Sequence, residues 1–111
     1  MTRVNTGIQW EYAIRDYFIA KGYTVVRAAG SKGAIDLVAF NAQEIIFIQA
    51  KKEKTNTNYV KDEDRLRAVQ IPNGGKKQMW IKQGTSVTIV QLDPTGNKLQ
   101  LIQVKDMKVK K

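Results

Sequence analysis

The sequence predicts an α+β (α/β) fold with a central mixed β-sheet flanked by helices. Three observations support this: an amphipathic helical pattern opens the chain, short β-branched segments follow between Gly- and Asn-containing turns, and a second helical pattern separates two groups of strands. The predicted order of elements is α-β-β-β-α-β-β-β. With 111 residues, we expect a single domain, with residues 105–111 as a flexible basic tail.

The first helix is predicted from Thr6 to Lys21. Thr6 and Gln9 have the spacing of a capping box, and Gly22 is a stop signal for the helix. Apolar side chains recur at the helical period and predict one buried face: Trp10, Ala13, Ile14, Tyr17 and Phe18.

The remaining elements follow from β-branched segments and from the turn residues between them. The predicted strands are Tyr23 to Arg27, Ile35 to Phe40, Glu44 to Lys51, Gln78 to Lys82, Thr85 to Leu92 and Lys98 to Val104. The strand at Gln78 is also compatible with a helical turn. Lys52 to Lys61 is predicted to be a polar loop, and Asp62 to Val69 a short helix that buries Leu66.

The charge balance points to a polyanionic partner. Lys and Arg number 19 against 10 Asp and Glu, which gives a formal net charge of +9. Nucleic acid is the first partner to consider and an anionic membrane surface the second. We expect phosphate contacts without base readout from a set of basic side chains: Lys52, Lys54, Arg65, Arg67, Lys76 and Lys77.

Several classes of protein are disfavoured by composition. The chain has no Cys and no His, which excludes thiolate zinc sites, cysteine nucleophiles, histidine bases and Ser-His-Asp triads. No apolar run approaches the roughly 20 residues of a membrane span, and no signal-peptide stretch follows Met1, so a cytoplasmic (cell or host-cell interior) location without a membrane is expected. Chemistry must then come from carboxylates, amides, Lys, Ser or Tyr, with a borrowed metal and no organic cofactor.

One set of residues suggests such chemistry. Asp36 lies near the start of one predicted strand, and Gln49 and Lys51 end the next, where alternation directs both to the same face. If the two strands form a hairpin, these three groups converge. Glu11 lies at the edge of the buried face of the first helix, from which its carboxylate could lean toward the sheet.

Convergent acids with a Lys suit metal-assisted phosphodiester hydrolysis, because Mg²⁺ takes oxygen ligands and keeps several waters. A nearby Lys can orient the attacking water or neutralise developing charge. Each residue also has an ordinary structural interpretation. Asp36 could cap a turn, Gln49 could be a half-exposed strand residue, and Glu11 and Lys51 could be solvated surface charges.

Residue identity adds a family resemblance. The segment from Gly22 to Ala39, with its Arg27-Ala-Ala-Gly-Ser-Lys32 turn and Asp36 strand, resembles the archaeal-type Holliday junction resolvases of the PD-(D/E)xK nuclease superfamily. The resemblance continues through Ile48-Gln49-Ala50-Lys51 to Tyr59-Val60 and covers about half the chain. The resemblance implies a restriction-endonuclease-like nuclease core and a homodimer that makes paired symmetric nicks in four-way branched DNA. It also implies Mg²⁺ as the cofactor, for which Mn²⁺ is expected to substitute.

The resemblance also implies residue roles. Glu11, Asp36, Gln49 and the main-chain carbonyl of Ala50 would hold the metal, and Lys51 would be the catalytic lysine. Ser31 would match a loop serine implicated in activity. Basic residues would face the DNA backbone: Arg3, Arg27 and Lys32, with Lys52 and Lys54 beside the Q-x-K strand.

Gln49 is the main departure, since the family usually has Glu there. An amide oxygen can coordinate a hard cation but brings no negative charge, so the site falls from three acids to two. Three explanations compete: a natural Q-x-K variant that retains activity, an engineered Glu→Gln change, and a branched-DNA-binding protein that has lost cleavage. A related nuclease acting on other DNA structures is a further alternative.

Overall fold

The computed structural model describes residues 6–28, 34–53, 60–72, 74–83, 86–92 and 98–104. Two helices and six strands occur in these ranges, in the predicted order. They are α1 (Thr6–Ala20), β1 (Thr24–Arg27), β2 (Leu37–Phe40), β3 (Ile45–Glu53), α2 (Val60–Ala68), β4 (Lys76–Gln83), β5 (Ser86–Leu92) and β6 (Lys98–Val104).

Helix α1 ends at the predicted glycine. The Tyr23 amide donates to the Phe18 carbonyl and the Gly22 amide to the Ile19 carbonyl, both at 3.0 Å. Gly22 has a φ of 92°, a conformation that disfavours residues with a Cβ, and the two bonds form a Schellman motif. The Tyr23 ring contacts the Phe18 ring with centroids 5.0 Å apart. This turn directs the chain from α1 straight into β1.

The six strands form one sheet in the order β1-β2-β3-β4-β5-β6. All neighbouring pairs are antiparallel except β3 and β4, which are parallel and joined through α2. A parallel pair needs a long crossover connection, and the helix provides it. The sheet is therefore mixed, as predicted, and the segment at Gln78 is a strand rather than a helical turn.

The helices cover opposite faces of the sheet. Trp80 belongs to a cluster with the buried residues of α1, whereas its neighbours Met79 and Ile81 pack with Leu66 of α2. Successive residues of a strand point to opposite faces, so the two clusters lie on opposite sides of β4. The α1 cluster contains Trp10, Ile14, Phe18, Leu37, Ala39, Ile46, Ile48, Trp80, Val87 and Ile89. The α2 cluster contains Leu66, Met79, Ile81, Val90 and Leu92.

A buried lysine fixes the end of α2 against β4. Lys77 is fully buried, and its Nζ donates to the carbonyls of Leu66, Arg67 and Val69 at 3.2, 2.8 and 2.8 Å. A cation is favourable at a helix C-terminus, where carbonyls lack helical partners. The prediction that Lys77 contacts phosphate is therefore wrong.

Several predicted boundaries also shift: β2 begins at Leu37 rather than Ile35, and β4 spans Lys76–Gln83 rather than Gln78 to Lys82. The polar loop predicted from Lys52 to Lys61 is shorter, because β3 continues to Glu53 and α2 begins at Val60. Pairing of β3 with β4 carries these polar residues into the sheet. Across the described ranges, neither helix is long and apolar enough to cross a membrane.

Candidate active site

Asp36 lies beside β3, as the hairpin prediction requires. Strands β2 and β3 pair from Phe40–Ile45 to Leu37–Ile48. Just before this ladder, the Asp36 amide donates to the Ile48 carbonyl at 2.8 Å. The Asp36 Oδ2 accepts a hydrogen bond from the Ala50 amide at 2.8 Å. The carboxylate thus satisfies a backbone donor where the ladder ends and lies next to the Q-x-K strand.

Gln49 and Lys51 share the face of the sheet that carries α2. Gln49 pairs in register with Met79, and Lys51 with Ile81, both of the α2 cluster. Gln49 is only 6% exposed, so the interpretation of a half-exposed strand residue is wrong. Lys51 is half-buried. Ala50 lies between them, and its amide fixes Asp36.

The charge of Asp36 is poorly compensated. Burial raises the pKa of the Asp36 carboxyl, and the negative charge of Glu11 raises it further. The Ala50 amide, Arg65 and Arg27 act in the opposite direction without cancelling the rise. A cation bound at this carboxylate would remove the cost of holding it ionised.

Glu11 reaches this end of the sheet from α1. Its Oε1 accepts from the Arg27 Nε at 2.8 Å, and both side chains are largely sheltered, with exposures of 20% and 23%. Arg27 ends β1 and pairs with Leu37, which places the ion pair where β1 ends and β2 begins. Glu11 is therefore a paired carboxylate rather than a solvated surface charge.

The donor set fits a hard divalent cation. The Gln49 Oε1 is buried and accepts no hydrogen bond from the described residues, although a buried carbonyl normally has a partner. Oxygen ligands of this kind suit Mg²⁺. The set is low in charge: within the described ranges, no three or more acidic side chains are grouped for a metal. Two carboxylates, Glu11 and Asp36, and one amide are the candidates.

The other predicted site residues are less defined. Lys52 is exposed near the end of β3. Arg3, Ser31, Lys32 and Lys54 lie outside the described residues, so their roles stay predictions.

One cation that acts on Asp36 has no site role in the sequence prediction. Arg65 of α2 stabilises the ionised form of Asp36 electrostatically, although it lies 29 positions later by residue number. The sequence offers only an indirect signal, because Arg65 immediately precedes the buried Leu66 on α2. Its approach to Asp36 depends on how α2 packs across the sheet.

The sheet, its two helices and the positions of these residues are typical of one fold class. A mixed sheet between two helices, with an Asp just before β2 and Q-x-K on β3, is a restriction-endonuclease-like nuclease core. A solved structure with the same fold is the Archaeoglobus fulgidus Hjc, described as a Holliday junction resolvase from an archaeal hyperthermophile. The match has a TM-score of 0.59 and 16% sequence identity and covers 90% of this chain and 84% of that one.

Sequence comparison then identifies the family. The chain belongs to the archaeal Holliday junction resolvase (Hjc) family, whose sequence profile matches residues 2–109. A curated relative is the crossover junction endodeoxyribonuclease Hjc of Methanocaldococcus jannaschii, 30% identical over 78 residues. That alignment takes in 68% of this chain but only 58% of the relative.

Proposed function

We propose that this protein is a Mg²⁺-dependent endodeoxyribonuclease that resolves four-way DNA junctions as a homodimer. The observation that carries the proposal is the hydrogen bond from the Ala50 amide to Asp36, which joins the carboxylate to the Gln49–Lys51 strand. Family membership supports the junction as substrate. The net charge of +9 supports binding to a polyanion.

Each residue has a chemical task in this proposal. Asp36, Glu11 and Gln49 supply the oxygen donors, and the Ala50 amide keeps the Asp36 carboxylate in place. A bound Mg²⁺ would polarise the phosphoryl group and activate water. Lys51 shares its face of β3 with Gln49, and there it orients the water or offsets charge on the phosphoryl oxygens. Arg27 and Lys52, with the predicted Arg3, Lys32 and Lys54, hold the DNA backbone.

A second candidate function is junction binding with little or no cleavage. Gln49 favours it, because an amide at this buried position leaves two carboxylates for the metal and weakens the attraction for a divalent cation. The fold and charge would then still serve recognition of branched DNA.

A nicking assay separates the two functions. The substrate is an immobile four-way junction, beside a linear duplex of matched sequence, with Mg²⁺ or with EDTA. The variants are Asp36→Asn, which keeps an acceptor for the Ala50 amide but removes the charge, and Gln49→Glu. We expect paired symmetric nicks from the unmodified chain, and none with Asp36→Asn or with EDTA.

The outcomes are distinct. If the unmodified chain binds the junction without cutting and Gln49→Glu cuts, binding is its function and the site is inactivated. If linear duplex is cut as well as the junction, it is a nuclease of different selectivity. An uncut junction with every variant, under conditions in which an Hjc relative cuts it, would refute the nuclease proposal.

A further inference from the structure

The Arg27–Glu11 pair occupies a carboxylate that the proposed metal site needs. The Arg27 Nε and Glu11 Oε1 are 2.8 Å apart, and the two side chains are about four-fifths buried, at exposures of 23% and 20%. Sheltering of this degree strengthens a charge-assisted hydrogen bond relative to a solvated surface pair. A cation that binds Glu11 must therefore compete with a guanidinium already in place.

Arg27 is also held from a second side. Its guanidinium carbon lies 5.1 Å from the centroid of the Tyr12 ring, within cation–π range. Tyr12 is itself an exposed residue of α1, at 40%. Arg27 thus lies between a carboxylate and an aromatic ring, with 23% of its side chain exposed to solvent. A DNA phosphate could bind this guanidinium, since Arg matches phosphate geometry well.

We propose that Arg27 is a latch that holds Glu11 in the DNA-free protein and releases it when a DNA phosphate takes over the guanidinium. This inference rests on the proposed function, because it takes Glu11 and Asp36 as metal ligands. Arg27 acts through Glu11 and is a positioning residue. Its consequence is that the metal binds weakly without DNA and tightly with it.

The latch couples metal binding and DNA binding in both directions. If DNA strengthens metal binding by releasing Glu11, the metal must strengthen DNA binding by the same factor. Without Arg27, Glu11 is available from the start. DNA-free metal affinity should then rise, and the coupling between metal and DNA should disappear.

The first experiment measures Mn²⁺ binding to the DNA-free protein by electron paramagnetic resonance of the free ion. Arg27→Met should bind Mn²⁺ about tenfold more tightly than the unmodified chain, as expected for loss of a strong charged hydrogen bond. Arg27→Lys keeps the charge but loses the guanidinium geometry, so its Mn²⁺ affinity should be intermediate. This conservative variant also provides a test of the latch if Arg27→Met does not fold.

The chain contains a matched control. Arg15 lies 4.6 Å from the centroid of the same Tyr12 ring and pairs with Asp16 at 2.9 Å. Arg15→Met removes one positive charge and one cation–π contact near the site but leaves the Arg27–Glu11 pair intact. We expect its Mn²⁺ affinity to stay within about twofold of the unmodified chain, since exposed pairs contribute little.

The second experiment measures the coupling by fluorescence anisotropy of a labelled four-way junction. Lys51→Met is the common background, chosen to keep the junction uncut. Mn²⁺ at constant ionic strength should tighten junction binding about tenfold in this background and have no such effect after a further Arg27→Met change. The ratio between the two variants cancels any effect of Mn²⁺ on the junction itself.

Three results would overturn the latch: unchanged or weaker Mn²⁺ binding by Arg27→Met, an equal gain in Arg15→Met, or no Mn²⁺ binding by any variant. Failure of the proposed function has a different signature. A chain that never nicks the junction, yet gains Mn²⁺ affinity in Arg27→Met alone, has the latch but not the nuclease activity.

Discussion

At the scale of single residues, Gln49 decides how this site differs from one with three acids. Its side chain is buried beside Met79, and the described residues offer its Oε1 no hydrogen bond. A neutral amide tolerates this position better than a carboxylate would, because burying an uncompensated charge is costly. The amide therefore lowers the electrostatic cost of this buried position and would weaken the proposed binding of a cation.

Gln49→Glu should accordingly lower the stability of the metal-free protein and raise its affinity for a divalent cation. In EDTA we expect the variant to lose about 1–3 kcal/mol of unfolding free energy, because a buried carboxylate then lacks a counter-ion. Added Mg²⁺ should return much of that loss through binding to the native state. Urea denaturation with and without Mg²⁺ measures both effects. Equal stability in EDTA and no Mg²⁺-dependent gain would contradict this account of Gln49.

At the scale of elements, Lys77 shows how α2 is fixed to the sheet. Its ammonium group is shared by three carbonyls at the end of α2, and the same helix carries Arg65 toward Asp36. The position of a charge near the site thus depends on a buried contact elsewhere on the same helix.

Lys77→Met should destabilise the protein by about 3 kcal/mol, because it leaves buried carbonyls without their charged donor. Its neighbour Lys76 supplies the control, since it is 42% exposed and pairs with Glu44 at 2.6 Å. Lys76→Met should cost at most about 1 kcal/mol. Chemical denaturation of both variants tests the difference. If Lys77→Met lowers the unfolding free energy no more than Lys76→Met does, the three hydrogen bonds of Lys77 contribute little to stability.

The opposite end of the sheet has its own polar contact between elements. Glu44, just before β3, accepts hydrogen bonds from Lys76 of β4 and from the Tyr23 hydroxyl before β1. The Lys76 contact lowers the pKa of Glu44 most, and the Tyr23 hydroxyl lowers it further. A carboxyl whose pKa is lower in the folded state stabilises the fold above its unfolded pKa.

Glu44→Gln should therefore destabilise the protein near neutral pH but not in acid. The stability difference between the unmodified chain and the variant should shrink as the pH falls below the usual glutamate pKa and through the lowered one. Thermal unfolding across this acidic range, compared with neutral pH, provides the measurement. A difference that stays constant throughout would mean that the ionised form of Glu44 contributes nothing.

At the scale of the whole molecule, the excess of positive charge would govern the proposed DNA binding. A protein that makes about six phosphate contacts has a log–log salt slope of about −5. The two ends of the β3–β4 pair differ in whether they present an exposed lysine to a DNA phosphate. Lys52 is exposed at the site end, whereas Lys76 lies at the other end, six residues away in the register, paired with Glu44.

Lys52→Met should reduce the steepness of the salt dependence by about 1 for each Lys52 that contacts a phosphate. Lys76→Met should leave the slope unchanged, because its amine is paired about 20 Å along the sheet from Lys52. Junction affinity measured over a range of salt concentrations tests both. Equal slopes for the two variants would place the DNA on a different surface.

The order of elements, the helix stop at Gly22 and the burial of Trp10 follow from the sequence alone. Those features depend on local chemistry: hydrophobic period, backbone conformation at a glycine and the size of an aromatic ring. Alternation also directed Gln49 and Lys51 to one face, because the strand period is two.

Which charges meet depends on the packing of the whole chain. The charge pattern predicts a phosphate contact for Lys77, which instead lies buried at the end of α2. Glu11 is paired with Arg27 across 16 positions. Arg65 acts on Asp36 from a different element. The sequence specifies which side chains are charged, but the partner of each charge depends on strand register and helix packing. Those are set by the whole chain, because distant segments must share one core.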